Sequence, residues 1–246
     1  MTSSGPDLSV FGGFGFERPP VGLKFSRLAP EGTPALARGI ALCEALAEAH
    51  KGEAFVYSTE NELCAGSFPL GNVDIEPPFA AGEVGPVLGV FKEARANRRV
   101  YEGLPRLDPG TARYVTFAPL DKITFDPDVL VVTATVSQAE VLLRASTYTV
   151  GGMYESRTTP VLGCAWVFVY PFVSGRLNYV PTGLVWGSKS LGSLPEGLML
   201  VSIPFDLLPM MVANLVEMPW RPAAFDDGRD GYLTRFREAA EEVAGP

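Results

Sequence analysis

The chain has 246 residues, of which 47% are hydrophobic and 20% charged, as is ordinary for a globular protein. Its 20 basic and 28 acidic residues give a formal net charge of −8, which argues against nucleic-acid binding because that requires clustered Lys and Arg. Its one histidine, His50, excludes a metal centre built from several histidines.

The cysteines, Cys43, Cys64 and Cys164, are odd in number and form no closely spaced pair. A disulfide framework is therefore not expected, and a reducing cytoplasm is the predicted location. The longest uncharged run, residues 158–174, is interrupted by proline and glycine. Its contiguous apolar part is too short to span a bilayer, so no membrane partner is expected.

The first segment, residues 1–19, contains a glycine-aromatic stretch from Phe11 to Phe16. A dinucleotide fingerprint needs a preceding strand and a following helix, whereas Pro19 and Pro20 follow here. We expect an irregular arm whose phenylalanines pack on the body or on a partner subunit, which makes a homodimer a plausible assembly. Alternation over residues 21–28 then predicts a strand.

The clearest predicted helix begins at Thr33, continues with Pro34 and ends at Gly52. Cys43 and His50 share its apolar stripe, and the helix dipole near its end favours protonated His50. Residues 54–57 form a short predicted strand leading into the turn that holds Cys64.

Further elements follow without a long linker. Helices are predicted over residues 84–101, from a Ser137–Glu140 capping box to residue 148, from Asp206 to residue 217, and at the C-terminal end. Strands are predicted over residues 113–118, 129–136 and 198–203, and a hairpin over residues 164–173 and 177–180. A glycine-rich loop covers residues 183–192.

This order of elements predicts the α+β class, with mixed sheets and helices packed outside them. We expect one globular domain over residues 20–246, composed of two similar, intertwined halves near residues 20–125 and 126–220.

Several side chains are candidates for chemistry. Cys64 could supply a reactive thiolate or a single metal ligand in its turn, although free cysteine is usually a small buried hydrophobe. His50 could be an acid–base catalyst or the metal ligand of a haem, although a histidine near a helix end is commonly a packed or capping group. Cys43 and Cys164 are interpreted as core residues.

The glycine-rich loop offers Trp186 and Lys189 for an anionic or aromatic ligand, or is simply a turn between strands. Tyr170 and Tyr179 flank the predicted hairpin and could reach the same ligand.

The assembled pieces resemble an uncharacterised family, domain of unknown function 169. They are Pro20–Phe25, Cys43 in its helix, Cys64–Gly66 with Leu70-Gly71, Pro127–Val131, Gly163–Ala165, Gly183–Lys189 and Val201–Pro204. The resemblance implies a soluble cytoplasmic protein and gives no settled reaction. Relatives often carry a cysteine where this chain has Leu184, so an iron–sulfur cluster is less expected than haem.

The leading functional hypothesis is a small-molecule enzyme with an apolar, aromatic-lined pocket between the two halves. Because acid–base and nucleophilic groups are scarce, we expect an oxidoreductase or oxygenase that uses a bound cofactor. The alternative is a non-catalytic binding or sensor protein for an apolar or aromatic molecule.

Overall fold

The computed structural model describes residues 6–244. Six strands form one sheet in the order β2-β3-β1-β4-β6-β5, and each neighbouring pair is antiparallel. The strands are β1 Val21–Ser26, β2 Phe55–Ser58, β3 Tyr114–Pro119, β4 Val129–Ala134, β5 Asn178–Pro181 and β6 Met199–Pro204. Parallel pairing occurs at two isolated bridges, Ala35 with Val56 of the edge strand β2 and Ile40 with Glu62 after it.

Helices pack on both faces of this sheet, which confirms the α+β class. The α-helices are α1 Ala45–Ala49, α2 Pro77–Ala80, α3 Val84–Val87, α4 Ala94–Glu102, α5 Val136–Thr147, α6 Tyr170–Ser174, α7 Trp186–Ser190, α8 Leu208–Glu217 and α9 Gly228–Ala244. None of the helices in the described residues is both long and apolar enough to cross a membrane.

Alternation along the central strands divides the core into two layers. Val129 and Val131 of β4 join a first cluster with α1 and the segment around residues 164–169, whereas Leu130 and Val132 join a second cluster with α5 and α8. All six β4 residues are buried, as expected for the continuous apolar run.

The order of strands is repeated in the two halves of the chain. In each half the first strand is central, the third lies beside it and the second lies at the edge. The central β1–β4 pairing is symmetric about Gly22 and Leu130, flanked by Val21 opposite Val131 and Leu23 opposite Val129. It contains three paired positions, against six for each of the flanking β1–β3 and β4–β6 pairings.

A salt bridge and a hydrogen bond reinforce the central pairing. Asp128 accepts a hydrogen bond from Lys24 Nζ at 2.7 Å and another from the Phe25 amide at 2.8 Å. The carboxylate thus fixes the end of β1 against the start of β4.

The first expected helix is wrong over most of its length. Residues 35–40 instead run parallel to β2 and the turn after it: Leu36 N donates to Val56 O of β2 at 2.8 Å, and Ile40 N donates to Asn61 O at 2.8 Å. Helical structure begins only with a 3-10 turn at Leu42–Glu44, which leads into α1. Pairing with an otherwise open sheet edge therefore outweighs the local helix signal.

The expected strand over residues 164–173 is also helical. Ala165–Val169 form a π-helix, in which Tyr170 N donates to Ala165 O, and α6 follows until Gly175 adopts a left-handed conformation. Pro171 has no N–H to continue a regular α-helical ladder, and π-helical turns are frequent at functional sites. Because every residue of the π-helix is buried, its sequence has no polar face to mark it as helical.

Three other helix predictions need adjustment. The second helix is split into α3 and α4, with Gly89 at φ +69° between them. The capping box of α5 is formed by Thr135 and Gln138, two residues before the predicted one. The final helix, α9, has no buried residue in the part that the structure describes.

The N-terminal arm, whose residues 1–5 lie outside the described part, includes a 3-10 helix at Leu8–Phe14. Phe11 is fully buried in the second cluster, and Phe14 stacks on Trp220 with ring centroids 4.1 Å apart.

Candidate functional site

All three cysteines of the chain line one cavity of about 500 Å³. Cys43 begins the helical segment before β2, and Cys164 holds the equivalent place before β5. The turn carrying Cys64 follows β2, and α7 on the opposite wall follows β5. Equivalent segments of the two halves therefore supply the two walls of what we call the cysteine cavity.

Close approach of glycines shapes the walls. A Cβ on Gly187 would lie 2.6 Å from Cys43 Sγ, and one on Gly66 would lie 2.5 Å from Leu42 Cβ. Ser188 Oγ donates to Cys43 O at 3.0 Å and so ties α7 to the opposite wall. These contacts require the small residues that the sequence places in the Cys64 turn and the glycine-rich loop.

The Glu62 carboxylate fixes the Cys64 turn by hydrogen bonding. Its Oε1 accepts a hydrogen bond from the Cys64 amide at 2.7 Å, and its Oε2 accepts one from the Tyr57 hydroxyl at 2.5 Å. Tyr57 is fully buried, and burial with the nearby Glu62 carboxylate raises the pKa of its phenol well above the usual range. One carboxylate is thereby bonded both to the Cys64 turn and to Tyr57 of β2.

The three thiols differ in environment. Burial, followed by the proximity of Cys64, raises the pKa of Cys43 to about 12. Burial also raises the pKa of Cys164 well above its ordinary value. Cys64 is exposed, so it is the thiol of the three that soluble reagents reach.

The rest of the lining is apolar or neutral. It comprises Ala41, Leu42, Ala65, Gly66, Phe79, Val84, Gly85, Leu88, Val90, Asn97, Tyr101, Pro160, Val161, Leu162, Gly163, Val185, Trp186, Gly187 and Ser190. Trp186 and Leu88 mark the open side, with 39% and 69% of their surface exposed.

Two of the predicted site residues, Cys64 and Trp186, thus lie together at the cysteine cavity, and four lie elsewhere. Lys189 pairs with Glu196 at 3.1 Å, and Tyr170 packs against Trp166 with ring centroids 5.6 Å apart. Tyr179 belongs to the second cluster, on the other face of the sheet.

His50 lines neither the cysteine cavity nor the larger groove described next. Both of its ring nitrogens are buried without a hydrogen-bond partner among residues 6–244. Burial and the nearby Arg18 guanidinium lower its pKa to about 4, so the imidazole is neutral at pH 7. Any preference for the protonated form from the dipole of the five-residue helix is thus overridden.

A larger groove of about 1020 Å³ runs beneath the N-terminal arm, between the arm and residues 120–127. Its lining includes none of the cysteines and none of the site residues predicted from the sequence. In the described part of the chain, no group of three or more His, Cys, Asp and Glu side chains is arranged to hold a metal ion.

The sequence did not predict that Cys43, Cys164, Asn97 and Tyr101 line the cavity, nor that Glu62 supports the Cys64 turn. The available signal was the internal repeat, since both buried cysteines open the helical segment before the second strand of their half.

Comparison with known proteins places these residues in a wider group. A family model described as uncharacterised ArCR, domain of unknown function 169, matches residues 13–214, which include all three cysteines. An uncharacterised protein of Methanocaldococcus jannaschii, MJ0308, is 28% identical over 187 residues, which are 75% of this chain and 80% of that relative. No solved structure gives a significant match. Since the family model covers well over half of the sequence, the chain belongs to the domain of unknown function 169 family.

Proposed function

We propose that this protein is a small-molecule enzyme that takes an apolar or aromatic compound into the cysteine cavity, with Cys64 as the reacting group. The observation that carries the proposal is the convergence of three free thiols on one largely apolar cavity. Cavities of this size with few polar groups are typical of small-molecule sites. Cys64 is the exposed thiol among the three and lines the cavity, which supports its choice as the reacting group.

Dye binding tests occupancy of the cavity. Nile red, a neutral apolar dye, should bind with increased fluorescence and slow the alkylation of Cys64 by iodoacetamide. Ala65→Trp would fill the cysteine cavity and should abolish both effects. Thr124→Trp, placed in the groove under the arm, is the matched control and should leave both unchanged. Dye binding that survives Ala65→Trp would contradict the proposal.

We further propose that the chemistry is redox chemistry with a bound cofactor, because the cavity lining contains no Asp, Glu, Lys, Arg or His for acid–base work. A visible spectrum of the purified protein tests this. A Soret band lost in His50→Ala would support haem, and broad absorption near 400 nm lost in Cys64→Ala would support an iron–sulfur cluster. His50 lies away from the cavity, so haem held by it would have to occupy a different place.

The same neutral lining favours a second candidate, a non-catalytic binding or sensor protein for an apolar molecule. One variant, Cys64→Ser, distinguishes the enzyme from the binding protein. Cys64→Ser should retain Nile red binding in either case, and it should abolish turnover of any substrate found for the enzyme.

A further inference from the structure

Residues 75–105, which contain α2, α3 and α4, form a segment that does not join the core of the protein. Neither core cluster includes a residue between Leu70 and Leu107. The residues that the segment does bury are small or polar, namely Gly82, Gly85 and Asn97. A segment with so few buried apolar groups opens at a lower cost in free energy than the core does.

The polar contacts of this segment are internal. Asn97 Nδ2 on α4 donates to Gly82 O at 3.2 Å, and Phe79 of α2 meets Tyr101 of α4 edge-on, with ring centroids 6.2 Å apart. Both salt bridges of the segment lie within it as well. In the part of the chain that the structure describes, no hydrogen bond or salt bridge joins residues 75–105 to the rest of the protein. The three helices are therefore one unit that no polar contact ties to the body.

The two ends of the segment are held side by side. Leu107 N donates to Pro69 O at 2.9 Å, so the chain leaves and re-enters the core at neighbouring points. Arg106 Nη2 donates to Val73 O, also at 2.9 Å, and joins the two ends a second time. Residues 75–105 can therefore turn about these ends while the core contacts on either side stay in place.

This segment forms one side of the cysteine cavity. Seven of the residues that line the cavity belong to it, from Phe79 of α2 to Tyr101 of α4. The other sides include Cys43 and Cys164, which are only 9% and 6% exposed. Movement of the segment away from the body would open the cavity along the whole of that side.

From these contacts we infer that residues 75–105 are a lid, which turns about its paired ends to admit a ligand to the cysteine cavity and then closes over it. This inference rests on the proposed function and concerns the regulation of its site. Lids that open and close over bound molecules control entry and release in many enzymes.

Opening of the lid should expose its backbone to solvent. The helices α2 and α3 have four residues each and α4 has nine, and helices this short are unstable in water without packing. Once the lid leaves the body, the amides of α4 should therefore exchange their hydrogens with solvent. Hydrogen exchange followed by mass spectrometry measures this opening.

Three helices are compared in the same sample. The core helix α5 should exchange only when the whole protein unfolds, whereas α4 should exchange at a lower free energy and with a weaker dependence on urea. Nile red at ten times its dissociation constant should slow exchange of α4 about tenfold, since the lid opens only after the dye has left. The helix α9, which has no buried residue in the described part of the chain, should exchange equally fast with and without the dye.

Ala65→Trp, which fills the cavity, is the control variant, and exchange of its α4 should not respond to Nile red. Exchange of α4 only together with α5 would overturn the lid and leave the cavity proposal intact. Exchange of α4 that is unchanged by bound Nile red would have the same meaning. Failure of Nile red to bind the wild type would overturn the proposed function and the lid with it.

Discussion

His50 allows a quantitative test of the packing around α1. Its pKa is lowered from 6.5 to about 4 by burial and by Arg18. The unfolded chain therefore binds a proton below pH 6.5 that the folded chain does not bind until about pH 4. The stabilising contribution of neutral His50 is complete above pH 6.5 and is lost as the pH falls towards 4.

The magnitude follows from the two pKa values. Between pH 7.5 and pH 5 the difference in proton binding should remove about 2 kcal/mol from the free energy of unfolding. His50→Leu cannot take up a proton, so its free energy of unfolding should lack this share of the pH dependence. Carboxylates titrate in both proteins, and the difference between the two profiles isolates the histidine.

Urea denaturation of both proteins at pH 7.5, 6.5, 5.5 and 5 provides the measurement. The gap between the wild type and His50→Leu should shift by about 2 kcal/mol across this range, against the wild type at low pH. Parallel profiles would refute the reasoning, since they would mean that His50 is protonated as easily in the folded chain as in the unfolded one.

Two further predictions concern single hydrogen-bonding groups. Glu62→Ala removes the acceptor for both the Tyr57 hydroxyl and the Cys64 amide and leaves a buried phenol unpaired. We therefore expect urea denaturation to show a free energy of unfolding lower by about 3 kcal/mol. Tyr57→Phe breaks only one of these hydrogen bonds and should lower it by about half as much. Thr135→Ala removes the side-chain oxygen that caps α5 at Gln138 N and should cost about 1 kcal/mol, whereas Thr135→Ser should cost little; equal losses in the two variants would contradict the capping role.

Local patterns in the sequence predict most strands of the sheet but not the segments that pair with its edge. The apolar run of β4 has its expected place because burial on both faces leaves a clear composition. Residues 35–40 depart from prediction because their partner, the edge of β2, lies some 20 residues further along the chain. A contact of that kind has no local signature.

The candidate site follows the same rule. The turn around Cys64 and the loop around Trp186 are recognisable from glycine content, and both line the cysteine cavity. Cys43 and Cys164 are buried, as the sequence predicts for core residues. That both also line the same cavity depends on how the two halves pack, which the local sequence does not show. The prediction that Tyr179 lines the site is wrong because β5 places its side chain on the opposite face of the sheet.

The narrow seam between β1 and β4 has a mechanical consequence. The β1–β4 pairing has three paired positions, whereas β1–β3 and β4–β6 have six each. When the protein is pulled apart by force, β1 and β4 should therefore separate first. The walls of the cysteine cavity belong to opposite sides of that pairing. A molecule bound between them would contact both halves, so it should raise the force needed to separate them.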